Sequence, residues 1–569
     1  MTLPPPALAL GRPLFADPLV AATAAQSIPQ AWQSAAAHGA ASAARQTSGN
    51  FAVAWGGGHA EGSALAIDRF AMQTLCWTFD QRGLRFAPTA TELAGPAAQI
   101  DPQALFDYLF FHVVPAPRTI FKGVYRLPPG CCLTLEQGLP VVRPYWQPQF
   151  EPVTRPDFAS LRTEFLGLLR SAVAGQLDGS KPACFLSGGT DSSTVAGMIR
   201  EVTGQPAAAY SIGFEADGYD EMEYARLAAK HFGAVHREYY VTPADLVQHI
   251  PRVATSYDQP FGNSSALPAY CCALMARADG VTRILAGDGG DELFGGNLRY
   301  AQQRVFRFYD HLPAALRSRL IEPWALSGLA RSLPGVRKVA SYVAQARLGL
   351  PARLETYNLL RRMGIERILT PAFLASVDVV DTDRQQAEVW QSAQSDSPLN
   401  RHLAFDWRYT LAETDLTKVR GTTGLAGLTA GFPMLDQRMV DFSMALPTDY
   451  KVRGVQLRWF FKEALRGFLP DPIIRKKKQG FGLPFGPWAV KDPALRALAT
   501  DSLHSLAGRG IVQKRFIEDL LAQHLPAHPG YYGEMVWILM MLEQWLQGHA
   551  PGYSLGGPNP GRITAAAAR

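Results

Sequence analysis

The 569-residue sequence has no apolar run long enough to cross a bilayer; the longest near its end, Met535 to Leu542, is stopped by Glu543 and Gln544. That run reads as a buried helix. There is no positive charge before Arg12 and prolines interrupt MTLPPPALALGRPLF, so a secretory leader is not expected. Cysteine is scarce: Cys76, Cys131, Cys132, Cys184, Cys271 and Cys272 contain no CxxC, which excludes zinc-ligand spacing, and they include two adjacent pairs, where stapling is rare. Reduced thiols and a cytoplasmic location follow as expectations. Charge of one sign is also lacking. Lys+Arg 55 against Asp+Glu 49 leaves +6, too thin a basic excess for a dedicated nucleic-acid binder. Neither a nucleic acid nor a membrane is an expected partner. Asn263-Ser264-Ser265 matches a glycosylation acceptor only in a three-residue pattern that recurs by chance.

What is present is the composition of a globular protein, 47% hydrophobic and 18% charged, with length for about three or four domains. Residues 1 to about 48, rich in Ala, Pro, Ser and Gln, show no clear period. From Asn50 to Phe86, short apolar runs (FAVAW, ALAIDRFAM, LCWTF, LRFAP) broken by Gly, Asp and Arg have the spacing of antiparallel strands. QALFDYLFFH at 103 to 112 has helical periodicity, and TIFKGVYRLPPGCCLTLEQG reads as strand, turn, strand. The Pro-rich stretch at 147 to 156 is the expected boundary. Beyond it, helical and β-type runs alternate: FASLRTEFLGLLRSAVAGQL, ACFLS, SSTVAGMIREVTG, AAAYSIGF, EMEYARLAAKHFG, VHREYYV, TRILAG. This predicts an α/β fold, a parallel sheet with helices on both faces, beside a small β-rich N-terminal unit. The units expected are 1–150, 151–550 and a disordered tail at 551–569; residues 300 to 420 read as mostly helical.

The run ACFLS leads straight into Ser187-Gly188-Gly189-Thr190-Asp191-Ser192-Ser193, which opens a helix. A strand-loop-helix junction aims free backbone N–H groups and a helix N-terminus at one point. Paired glycines let an anion approach the backbone, and the hydroxyls of Ser187, Ser192 and Ser193 add donors, so phosphate is the natural ligand. Asp191 would repel it unless a divalent cation lay between, which predicts Mg²⁺ as well. The Lys of GxxxxGK[ST] is absent, so this is not a Walker loop.

After TRILA comes Gly287-Asp288-Gly289-Gly290-Asp291-Glu292, which fails as GxGxxG because Glu292 stands in the last position. Its clustered carboxylates repel unless cations are near, so the segment reads either as a metal or amine site or as a solvated acidic turn capping a helix. Residues taken alone leave both open. Arg475-Lys476-Lys477-Lys478 would by itself be a solvated basic run.

SGGTDSS resembles the pyrophosphate loop of the N-type ATP pyrophosphatases, which cleave ATP to AMP and pyrophosphate. PAPRTIFKGVYRLPPG, SIGFEADGYDEMEYA, LAGDGGDELFGG, FPMLD and KKKQGFGLP, in this order from about residue 100 to 490, narrow the resemblance to the asparagine synthetase family, with a weaker match around GNFAVAW. The resemblance implies ATP and Mg²⁺ as cofactors, with Asp191 and Asp291 holding the metal and Lys478 reaching the α-phosphate. Lys462 matches a family lysine more weakly. Asp288 stands where the family often carries Glu, near the reacting intermediate. The nucleotide is expected on Leu186, Ser187, Gly188, Gly189, Asp191, Ser192 and Ser193, its adenine against Leu186 and the Ser211-Ile212-Gly213-Phe214 strand end, with Gly287 on the far side.

The likeness breaks in two places. Glutamine-hydrolysing members begin Met-Cys, whereas residue 2 here is Thr, so the N-terminal unit is expected to be a truncated, degenerate amidotransferase (Ntn-type) domain without glutaminase activity. The family's KVDRxxMxxxxExRxPFLD falls on Lys418 to Asp436 with Arg420, Gly421, Thr429 and Gly431 in place of Asp, Arg, Glu and Arg, and Asn263 replaces a common Asp. The expected function is an AMP-forming amide ligase joining a small-molecule carboxylate, aspartate by default, to an amine or ammonia. Lasso-peptide or β-lactam type synthetases are the enzymatic alternative, and a silent nucleotide-binding scaffold the non-enzymatic one. The chain could pair as a homodimer.

Overall fold

The computed structural model describes residues 3–557 apart from 96–97, 153, 155–156, 217, 311, 328–333, 478–479 and 481. The N-terminal unit is two antiparallel sheets. Strands β1 (Pro6–Phe15), β2 (Thr47–Trp55), β3 (Ala64–Ile67), and, beyond β4 (Cys76–Asp80), β5 (Gly83–Ala87) and β6 (Tyr125–Arg126), strands β7 (Cys131–Glu136) and β8 (Leu139–Pro144) follow along the chain. The larger sheet runs β1-β2-β3-β7-β8 and the smaller β5-β4-β6. Alternation in β2 explains the layering. Phe51, Val53 and Trp55 pack under the helix Ile28–Ala35 around Trp32, while Ala52 and Ala54 face the smaller sheet through Trp77 and Leu84. Gln137 and Gly138, both at positive φ, make the two-residue turn between β7 and β8, the geometry that matches strand twist.

The second unit carries β9 (Ala183–Phe185), β10 (Ala208–Phe214), β11 (Val235–Val241), β12 (Arg283–Leu285) and β13 (Thr429–Gly431), all parallel, in the order β11-β10-β9-β12-β13. Successive residues point to opposite faces: Ala183, Ala208, Tyr210 and Ile284 join one core with the helices Pro243–Ser256 and Ala266–Ala278, and Cys184, Ala209 and Leu285 join another with Phe158–Gln176 and Thr190–Thr203. Both faces are covered, as the alternation of helix and strand implied. No strand lies among the described residues between 300 and 420.

Three expectations change. The period-free N-terminus holds β1, paired along β2, and helices that close the first core. The boundary near 150 is not a packing boundary: the helix Pro102–Phe111, capped by Asp101 with Pro102 at its first turn, sends Leu105, Phe106 and Tyr108 into the core of the second unit, where the Tyr108 hydroxyl donates to Ile538 O at 2.8 Å. The disordered tail does not begin at 551. Tyr553 is buried, and its carbonyl accepts from Arg509 at 2.7 Å; residues 558–569 lie outside the described residues. Met535–Leu542 sits within the buried helix Pro529–His549. No helix among the described residues is long and apolar enough to cross a membrane.

Candidate active site

At the C-terminal edge of the parallel sheet lies a cavity of about 530 Å³. This is the edge at which open α/β sheets present their loops. Leu186, Ser187, Gly189, Asp191, Ser192, Ser211, Ile212, Gly287, Asp288 and Asp291 all line it. Gly188 and Ser193 do not. Gly188 instead makes the turn possible: at φ +70° it lies against the backbone of the helix Met222–Phe232, where a Cβ would come 2.5 Å from the Tyr224 carbonyl carbon. Ser193 is fully buried and its hydroxyl has no hydrogen-bond partner among the described residues. Ser192 braces the loop, its Oγ accepting from Ser187 N at 3.1 Å and standing 3.0 Å from Ser187 Oγ. Ser211 donates to Leu186 O at 2.5 Å and meets His236 Nε2 at 2.6 Å.

The second acidic loop presses against the first. A Cβ on Gly287 would lie 2.8 Å from Ser192 N, and Gly290 leaves no space between itself and Asp191. Asp191 and Asp291, an expected metal pair, thereby face each other, and Arg458 stands between them: its Nη1 is 2.5 Å from Asp191 and 2.7 Å from Asp291. Nothing in VQLRWFF marks that arginine, whose left-handed φ of +53° only the folded chain reveals.

The cavity is electrically divided. Lys476 and Lys477 line one side, Lys476 4.5 Å from the centre of the Tyr224 ring and 3.1 Å from Glu221. On the other, Asp288, Glu292 and Asp415 surround Lys418, whose Nζ is 2.8 Å from Asp415 and 3.8 Å from Asp288. Burial pushes the Asp288 carboxyl up to about 6 and that of Glu292 up as well, while the carboxylates hold Lys418 charged against its own burial. Lys462 is not on the wall; burial and the neighbouring Arg458 lower its pKa. Lys478 lies outside the described residues.

The sequence model for asparagine synthase matches residues 164–547, which hold every described part of this cavity. The chain belongs to the asparagine synthase family. Residues 32–146 match the glutamine amidotransferase domain. Glutamine-hydrolyzing asparagine synthetase 1 of Bacillus subtilis is 24% identical over 486 residues, 84% of this chain and 74% of the relative. A Mycobacterium bovis protein provisionally given the same name is 28% identical over 409 residues, 70% of this chain, and the match spans only 60% of the relative's length.

Within this asparagine synthase fold, the departures around Lys418 are filled rather than hollow. Gly421 lies under the Tyr257 ring, where a Cβ would be 2.8 Å from Cζ; Tyr257 itself stacks on Phe261 at 4.5 Å. At Gly431 the Leu285 and Arg283 side chains close the space. Arg420 is half-buried and donates to Met72 O at 3.2 Å, tying the helix Leu416–Leu425 to the N-terminal unit. Asn263 lines the cavity and accepts from Ser265 N at 2.9 Å.

The residues present fit a divalent cation. One nitrogen reaches both carboxylates, so one cation could too, and among the described residues no third His, Cys, Asp or Glu joins them. Two carboxylates with phosphate oxygens and water are the donors Mg²⁺ takes.

Proposed function

We propose that this protein is an ATP-dependent ligase that forms an acyl adenylate and then an amide. The observation that carries the reading is the meeting of the Ser187–Ser193 loop with the Gly287–Glu292 loop, which brings Asp191 and Asp291 to the same Arg458 guanidinium and so within reach of one another. A substrate carboxylate oxygen bonds to the α-phosphorus while the bond to the bridging oxygen breaks and pyrophosphate leaves. Backbone N–H groups of the first loop and the helix N-terminus hold the departing phosphates, with Lys476 and Lys477 beside them. Asp191 and Asp291 would hold Mg²⁺, which when bound supplies charge neutralisation to the pyrophosphate. Lys478 joins the α-phosphate by resemblance alone.

In the second half a neutral amine nitrogen attacks the acyl carbon, AMP leaves, and the nitrogen gives up one proton; an amine that arrives as ammonium must also lose one proton before it attacks. Asp288 is placed to accept a proton: it lines the acidic side, where an ammonium is attracted, and its carboxyl is tuned by burial against Lys418. The names of the relatives make aspartate and ammonia the first substrates to try. The amidotransferase half is proposed to be silent, because all six cysteines are buried and burial raises every one of their thiols, the reverse of a nucleophile's tuning.

The test is ATP–pyrophosphate exchange across aspartate and other carboxylates. Exchange that needs a carboxylate and is lost in Asp191→Asn supports the reading. Nucleotide binding without exchange for any carboxylate would leave a scaffold instead.

A further inference from the structure

The guanidinium of Arg458 occupies the point that one cation must take to serve both Asp191 and Asp291, at 2.5 and 2.7 Å. The backbone is bent to put it there. Arg458 has φ +53°, its N–H donates to Gly295 O at 3.2 Å, and Gly296 leaves no room for a side chain between Asp291 and the Arg458 stem, 2.9 Å from where a Cβ would be. Away from the carboxylates the group is lightly held. Nε has no hydrogen-bond partner among the described residues although the residue is only 6% exposed, and the Phe461 ring lies 5.7 Å away. Two facing carboxylates without a cation would repel each other and raise one another's pKa. A guanidinium and a divalent ion drawn to the same two oxygens compete for them, and their like charges repel at that separation.

We propose that Arg458 is the site's own counter-ion, and that the metal enters only by exchange with it, together with the nucleotide. This rests on the reading of the cavity as a metal–nucleotide site. The logic is electrostatic. A divalent ion alone must displace a buried cation from both carboxylates and shed tightly held water, and it brings no added anion to compensate the displaced guanidinium. When polyphosphate arrives as well, it supplies the metal with further oxygen ligands and the cavity with the negative charge that a released guanidinium needs. Metal and nucleotide then bind with mutual dependence, and by linkage each strengthens the other equally. Arg458 is thus a positioning residue: it keeps the carboxylate pair paired and facing until the substrate complex replaces it.

The experiment is Mn²⁺ binding to the full chain followed by electron paramagnetic resonance, with and without a non-hydrolysable ATP analogue. In the wild-type protein the analogue should raise Mn²⁺ affinity by about tenfold or more, and in Arg458→Met Mn²⁺ alone should bind about tenfold more tightly than to wild type, shrinking the dependence on the analogue. A folded Arg458→Met that binds Mn²⁺ alone no better than wild type overturns the exchange. So does a wild-type protein that binds Mn²⁺ as tightly without the analogue as with it, a result that needs no variant. Arg458→Lys, which keeps a cation, should retain the dependence, so its loss there counts against the proposal. If wild-type protein binds neither Mn²⁺ nor the analogue, the metal–nucleotide reading fails and the exchange with it; if both bind but exchange of pyrophosphate is absent, only the ligase reading fails.

Discussion

Lys418 Nζ lies 3.8 Å from Asp288 Oδ1, the lysine on the helix Leu416–Leu425 and the aspartate on a loop 130 positions earlier, with Asp415 and Glu292 as further carboxylates on the same cavity wall. Burial raises the Asp288 carboxyl to about 6, and Lys418 is what pulls it down. A base must be ionised, so amide formation should rise with pH through about 6 and then level. Lys418→Met should move that midpoint upward, and Asp288→Asn should abolish the limb. Single-turnover rates from acyl adenylate and amine at a series of pH values check this; a profile unchanged in Asp288→Asn removes Asp288 from the proton transfer.

Gly188 and Gly204 separate backbone strain from steric conflict. Both have positive φ, +70° and +68°, but a Cβ at Gly204 meets nothing within 4 Å while one at Gly188 runs into the helix Met222–Phe232. Gly204→Ala should cost about 1 kcal/mol of stability, and Gly188→Ala more, with weakened ATP binding besides. Thermal unfolding and nucleotide titration of the two variants give the comparison. Equal losses in both would mean that the helix yields.

Lys451 is fully buried over the Phe150 ring, 4.8 Å from its centre, with Asn400 Oδ1 3.2 Å from its ammonium, and burial lowers its pKa to about 7. Between about pH 7 and its ordinary 10.5 the unfolded chain therefore binds more protons here than the folded one, so this group makes stability rise with pH across that window. Lys451→Met should flatten that rise and stabilise the protein most below pH 7. Melting temperatures of the two proteins from pH 6 to 10 measure it.

The six buried cysteines should resist a thiol reagent in the native protein and react on unfolding. Glutamine supplied with the protein should yield no glutamate, while ammonia or an amine supports turnover. Glutamate release above background would show a nucleophile in the N-terminal half.

The chemistry-bearing loops were readable because each is continuous. Ser187–Ser193 and Gly287–Glu292 are each a local run at a strand end, and a strand end on a parallel sheet already places a loop at the ligand edge. The alternation of helix and strand likewise disclosed the layered unit. Strand β13 escaped because three residues, Thr429–Gly431, carry no period; they become a strand only by lying along β12. Strand β1 escaped because Gly11 and Pro13 blur its alternation, and as an edge strand it needs only one partner.

The sequence by itself determined the class of chemistry, since an SGGTDSS loop and a GDGGDE loop require nothing distant to suggest phosphate and metal. Only the tertiary structure decided which charges meet. Asp191 and Arg458 are 267 residues apart, Asp288 and Lys418 are on different elements, and the space opposite Gly421 belongs to a tyrosine from a third. Coulomb energy depends on separation in space and on exclusion of water, and neither quantity exists along a sequence until the chain has folded.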